Sequence, residues 1–224
     1  MHLAEQVKEV NDCIVWSGQR PAIWLFAHAA VDARWCFVHA THLDATEIAL
    51  LARSGAVVGL CPITEANLGD GIFAATAYLA AGGRWGVGTD SNVEVTASGE
   101  LKQFEYSQRL SQRRRNVLAT AEGQSTGRVL YEAALTGGSR ALARKIGALA
   151  VGHRADLVVL DATHPSFSAA GPEHWLDVYV FALGRSAVKD VFVGGRRVVT
   201  NGMHNAHEAI SARYARTMRR LAVR

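Results

Sequence analysis

His2 and Glu5 stand three residues apart in Met1-His2-Leu3-Ala4-Glu5-Gln6. Two further polar clusters, Val38-His39-Ala40-Thr41-His42 and Gly88-Thr89-Asp90-Ser91, each close a short apolar run. A hydrolytic zinc takes neutral imidazole and carboxylate ligands and leaves one position open for water. It works with a carboxyl group that carries protons between water and leaving group. His2 and Asp90 suit the ligand roles, and Glu5 suits the proton shuttle. His39 suits a donor that orients the attacking oxygen or steadies a tetrahedral intermediate. Taken singly, each has a plainer explanation. His-x-x-Glu arises by chance, a histidine at a strand end can cap a core hydrogen bond, and Asp90 after Gly88-Thr89 can cap a turn. The ordered set of His and Glu, then His, then Asp points to metal-dependent hydrolysis.

Such a set needs elements that deliver it to one place. Trp35-Cys36-Phe37-Val38, Ala56-Val57-Val58-Gly59-Leu60 and Trp85-Gly86-Val87-Gly88 read as short strands, apolar throughout and therefore buried on both faces. Between the first two, Asp44 is an N-cap, residues 47–52 a helix and Gly55 its stop. Residues 73–81 read as a helix ended by Gly82-Gly83. Strands alternating with single helices predict a parallel sheet, and in a parallel barrel the strand C-termini carry the chemistry. Adjacent parallel strands are expected over 35–40, 56–61 and 84–89. Residues 98–146 read as mostly helical, with Leu101, Phe104 and Leu110 on one face and an interruption at Gly137-Gly138. The stretches 147–161 and 186–200 predict a separate β-layer, its hairpin turning at Gly194-Gly195. A terminal helix runs from about Ala206 to Val223.

Composition narrows the class. The chain has 224 residues, 49% apolar and 20% charged, with a net charge of +4, as expected of a globular protein. Arg109, Arg113, Arg114 and Arg115 read as a solvated helix face, so no nucleic-acid partner is expected. Cys13, Cys36 and Cys61 are odd in number and lack C-x-x-C spacing, which argues against a disulfide framework and points to a reducing cytoplasm. No apolar run is long enough for a membrane span, and no signal peptide is visible.

The chain resembles the amidohydrolase superfamily and, within it, the formimidoylglutamate deiminases. The residues that carry the likeness are His2-Leu3-Ala4-Glu5-Gln6, Val38 to Leu43, Leu60-Cys61-Pro62-Ile63-Thr64-Glu65-Ala66-Asn67-Leu68-Gly69-Asp70-Gly71, Gly88-Thr89-Asp90-Ser91 and Gln108 to Asn116. Ala155-Asp156-Leu157-Val158-Val159-Leu160-Asp161 resembles the small β-domain of many amidohydrolases. The resemblance implies an α/β fold, the C-terminal half of a (β/α)8 TIM-like barrel plus part of a small β-sandwich. Residues 1–146 would form strands five to eight of the barrel, 147–204 part of the β-domain, and 205–224 the terminal helix. It implies His2 and Asp90 as ligands of one zinc ion, with Glu5, His39 and Asp90 catalytic. Glu65 and Asn67 would lie in a loop over the pocket, with substrate contact and a structural turn as equal alternatives. Cys61 is expected to pack rather than react.

The implied reaction is deimination of N-formimino-L-glutamate to N-formyl-L-glutamate and ammonia, a step of histidine degradation, on a small-molecule substrate in the cytoplasm. A homo-oligomer, a deaminase of an aminated heterocycle, and a catalytically silent fragment or assembly partner stay open as alternatives. The family's His-x-His ligand pair occurs nowhere in the chain, and His28, His153, His164, His174, His204 and His207 lie in other contexts. The first four barrel strands are therefore expected to be missing. The isolated chain is expected to bind zinc weakly or not at all, and to release no ammonia.

Overall fold

The computed structural model describes residues 1–92, 94–119 and 121–222. The apolar runs form strands β1 (His2–Leu3), β2 (Cys36–His39), β3 (Val57–Leu60) and β4 (Arg84–Val87). They pair in parallel in the order β1-β2-β3-β4, as the sequence predicts for the last three. Helices α1 (Val7–Ser17) and α2 (Pro21–His28) connect β1 to β2. Helix α3 (Ala45–Ser54) connects β2 to β3, and α4 (Pro62–Leu68) and α5 (Ala75–Ala80) connect β3 to β4. Helices α6 (Ala97–Gln112) and α7 (Thr126–Ala141) follow β4. Phe37, Val58, Leu60, Trp85, Leu101 and Leu130 are buried in the core between sheet and helices.

Local chemistry sets the helix ends. Asp44 caps α3 by accepting from Thr46 N and Glu47 N, and Glu47 returns the bond to Asp44 N. This reciprocal capping box satisfies donors that a helix start otherwise leaves bare. Glu47 is fully buried and also takes Arg20 Nε at 2.7 Å and Ala22 N at 3.1 Å, which ties α2 to α3. Gly55, at φ +75°, ends α3 in the left-handed region where glycine carries no Cβ penalty.

Two expectations for the helices are corrected. Leu110 does not share the face of Leu101 and Phe104; it is 79% exposed. At about 100° per residue, nine residues place it about half a turn from Leu101. Gln108 takes the buried position instead and donates to Phe73 O at 3.0 Å. Helix α7 is not interrupted at Gly137-Gly138 but runs through both. The glycines serve close approach: a Cβ on Gly137 would lie 1.7 Å from Trp85 O, and one on Gly86 would lie 3.0 Å from Gly138 N. Helix and strand backbones touch here because neither carries a side chain.

A second sheet, β5 (Leu157–Leu160), β6 (Val188–Val193), β7 (Arg196–Thr200) and β8 (Met203–His204), is antiparallel in that order. Gly194 and Gly195, at φ +57° and +80°, turn the β6–β7 hairpin as expected. Of the stretch 147–161 expected in this β-layer, only Leu157–Leu160 is strand, because Gly147 and Gly152 turn the chain at φ +77° and +85° before it. Between β5 and β6 the chain passes through short helical turns, including α8 (Trp175–Asp177). The terminal helix α9 spans His207–Ala222; Val223 lies outside the described residues. Among the described residues no helix is long and apolar enough to cross a membrane.

Candidate active site

The parallel sheet ends in left-handed backbone. Ala4 (φ +50°) follows β1, His39 (φ +69°) and Ala40 (φ +53°) close β2, and Asp90 (φ +47°) follows β4. None is glycine, so each conformation is held against its own preference, as strained backbone at functional sites commonly is. The turns aim four side chains at one another. The buried ring of His39 points Nε2 at Glu5 Oε1, 3.5 Å away, and at Asp90 Oδ2, 3.9 Å away. The His2 ring stacks on His39, with centroids 5.4 Å apart and planes 18° apart. His2, Glu5, His39 and Asp90 are thus brought together on the C-terminal side of the sheet. Glu5 and Asp90 keep 23% and 27% of their side chains exposed, so the cluster opens to solvent.

Glu65 stands behind His39. The His39 Nδ1–H donates to Glu65 Oε1 at 3.2 Å, and the same oxygen accepts from Cys61 N at 2.9 Å. One buried carboxylate therefore orients the imidazole and caps the start of α4. This corrects the expectation of a loop over the pocket. Glu65 and Asn67 both lie in α4, Glu65 pointing inward and Asn67 exposed. Pro62 at the first helical position and Gly69 just past the end are the sequence signal for that helix. Beneath the helix, Glu100 Oε2 accepts from Ile63 N at 2.9 Å.

Burial and charge set the protonation of these groups. Burial raises the Glu5 carboxyl; the nearby His39 lowers it, and Asp70 raises it again. Burial alone would lower His39, but the Glu65 hydrogen bond and the charges of Glu5, Glu65 and Asp90 outweigh it and raise the ring. Burial pushes Glu100 up to about 7 and the Cys61 thiol up to about 12. A thiol that resists ionisation packs rather than reacts.

Buried polar atoms nearly always find a partner, so bare ones mark a face meant for something else. Among the described residues His39 Nε2, Thr41 Oγ1 and Asp70 Oδ2 are buried without one; His39 ends β2, and Thr41 and Asp70 lie in loops at this end of the sheet. No local sequence pattern marks Thr41 or Asp70 as part of the site. Asp70 contacts Gln6, a residue 64 positions away, and no local pattern reports that.

Residues 1–198 match the amidohydrolase family. The chain belongs to that family. It is 54% identical over 208 residues to a formimidoylglutamate deiminase of Pseudomonas aeruginosa, covering 93% of this chain and 46% of that protein. A crystal structure of an amidohydrolase from Brucella melitensis superposes with a TM-score of 0.90 at 47% identity, over 99% of this chain and 48% of the other. An adenosine deaminase from Xanthomonas campestris, solved with bound zinc, superposes with a TM-score of 0.85 at 28% identity, over 97% and 49%. This amidohydrolase chain thus spans about half the length of the relatives it matches. Its parallel sheet and outer helices are part of the family's barrel.

The donor types of His2 and Asp90 suit zinc, and the bare Nε2 of His39 faces the same space. Among the described residues, however, no three His, Cys, Asp or Glu side chains are arranged to hold an ion between them. Catalytic zinc takes three protein ligands or more. The described residues of this amidohydrolase chain thus fit part of such a site.

Proposed function

We propose that this chain carries the proton-handling half of an active site that hydrolyses a formimino group, converting N-formimino-L-glutamate to N-formyl-L-glutamate and ammonia. The observation that carries the reading is the meeting of Glu5, His39 and Asp90 at the sheet's C-terminal end, with the His39 Nε2 bare between two carboxyl groups. The 54% identity to a formimidoylglutamate deiminase supports the choice of substrate. Glu5, its carboxyl raised by burial, takes the proton of the attacking water and returns it to the departing nitrogen. His39, oriented by Glu65, presents Nε2 to the oxygen that becomes negative as the C=N carbon turns tetrahedral. Asp90 is a second acceptor for the water proton. His2 and Asp90 would be two ligands of a zinc ion whose other ligands come from residues beyond this chain. When bound, that ion supplies a Lewis acid that makes water acidic at neutral pH.

The test joins this chain to the portion of the Pseudomonas aeruginosa deiminase that it does not cover, and follows ammonia release. The completed protein is expected to deiminate N-formimino-L-glutamate, and residues 1–224 alone to do nothing above background. Release of ammonia from adenosine but not from N-formimino-L-glutamate would replace the substrate reading with that of a heterocycle deaminase.

A further inference from the structure

We propose that Asp70 is a specificity-determining residue, an anchor that holds a cationic nitrogen beside Glu5. The substrate side of this inference rests on the deimination reading above.

Asp70 is where the loops after β1, β2 and β3 meet. Gln6, next to Glu5, donates from Nε2 to Asp70 Oδ1 at 3.0 Å. His42, three residues past His39, donates from Nε2 to the Asp70 carbonyl at 2.7 Å. The Asp70 amide donates to Glu65 O at 2.9 Å. These bonds fix the backbone and one carboxylate oxygen. The other, Oδ2, is buried and has no hydrogen-bond partner among the described residues, in a residue only 9% exposed. Gln6 thus sets Asp70 beside the Glu5 segment, and the Asp70 charge helps to raise the Glu5 carboxyl.

An acceptor fixed, buried and bare costs free energy until a donor arrives. Two carboxylates this close also repel each other when both are charged. A donor that carries positive charge answers both demands and makes the stronger kind of hydrogen bond. Arg20, which reaches the carbonyl of His42, is already committed to that carbonyl and to Asp44 and Glu47. Glu5 is partly exposed, so the donor can enter from solvent. A protonated amidine has the right form: a flat cation whose terminal NH2 offers one hydrogen to each of two carboxylates. A formimino group is an amidine, charged at neutral pH, and that NH2 is the nitrogen that leaves. A neutral ring amine satisfies the hydrogen bond but not the charge. Asp70 therefore favours cationic imino substrates over aminated heterocycles.

The probe is formamidinium chloride, titrated into the protein while the carboxyl 13C signals of Asp70 and Glu5 are followed by NMR. Neutral formamide serves as the control. Saturable shifts at both residues with formamidinium, and none with formamide, are expected. Asp70→Asn keeps the shape and the Gln6 bond and is expected to weaken formamidinium binding by about tenfold or more. No saturable shift at Asp70 in the wild-type protein, or undiminished binding by Asp70→Asn, overturns the proposal. If circular dichroism finds Asp70→Asn unfolded, the wild-type titration alone decides. Failure of the deimination reading shows separately, as absence of ammonia from N-formimino-L-glutamate in the completed protein.

Discussion

Gly137 and Gly138 are neighbours in one helix, and alanine should act on them in opposite directions. A Cβ at Gly137 would lie 1.7 Å from Trp85 O and 2.3 Å from Trp85 C, where real Cβ atoms keep at least 3.0 Å. Helix α7 and strand β4 must therefore part by more than an ångström, and both obstacles are backbone, which has no rotamer to change. Overpacking costs about 1–3 kcal/mol, and a backbone collision belongs at the upper end. The gain in helix propensity from glycine to alanine returns about 1 kcal/mol. Gly137→Ala should thus lose about 2 kcal/mol net, a fall in Tm of about 4–8 °C for a chain of this size. At Gly138 a Cβ meets nothing within 4 Å. Only the propensity gain remains, and Gly138→Ala should raise Tm by about 1–4 °C. Thermal unfolding followed by circular dichroism, with both variants side by side, reads the sign directly. A Gly137→Ala protein as stable as wild type, or two variants that move together, would refute the close-approach argument.

Three further outcomes are expected. Glu100 has its pKa raised by burial from the ordinary 4.5 to about 7, so its contribution to stability is full below about 4.5 and is lost as pH rises through about 7. That loss approaches about 3 kcal/mol, and urea melts between pH 4.5 and 8 should show it in wild type but not in Glu100→Gln. Glu65→Ala strips the acceptor from both His39 Nδ1 and Cys61 N and should destabilise the protein by about 1–3 kcal/mol, whereas Glu65→Gln, which keeps an acceptor oxygen, should lose less in the same melts. In the completed protein, Glu5→Gln and Asp90→Asn should each abolish ammonia release while leaving the circular dichroism spectrum unchanged; residual turnover above about a hundredth of wild type would remove them from proton transfer.

Much of the scaffold was written in local pattern. The apolar runs ending at Val38, Leu60 and Gly88 specified buried parallel strands because no polar face interrupts them. Asp44 and Gly55 marked the ends of α3 through side-chain and backbone preferences that act within a few residues. Of the candidate residues, His39 and Asp90 are legible because each sits where such a run stops, and His2 and Glu5 through their spacing of three. What was hidden depends on contact across the sequence. Gly137-Gly138 looks like a break until Trp85 is seen pressed against it, and Glu65 looks like a loop residue until the His39 ring is found beside it. Asp70 had no signal of its own, since its meaning comes from Gln6 and Glu5 on another strand's loop. Leu110 needs no distant contact to explain it, since the helical period alone turns it away from Leu101.

The left-handed residues at the strand ends bear on how such a protein fails. Each L-residue held there costs about 1–2 kcal/mol against the ordinary helical twist. Ala4, His39, Ala40 and Asp90 concentrate that cost in one patch, together with bare polar atoms of His39, Thr41 and Asp70. Elsewhere among the described residues the same cost is scattered, at Arg113, Asn116, Ala143 and Asn201. Proteins open first where local stability is lowest. Warming should therefore blur the aim of these side chains before the sheet comes apart, so that the site loses its geometry below the temperature at which the molecule melts.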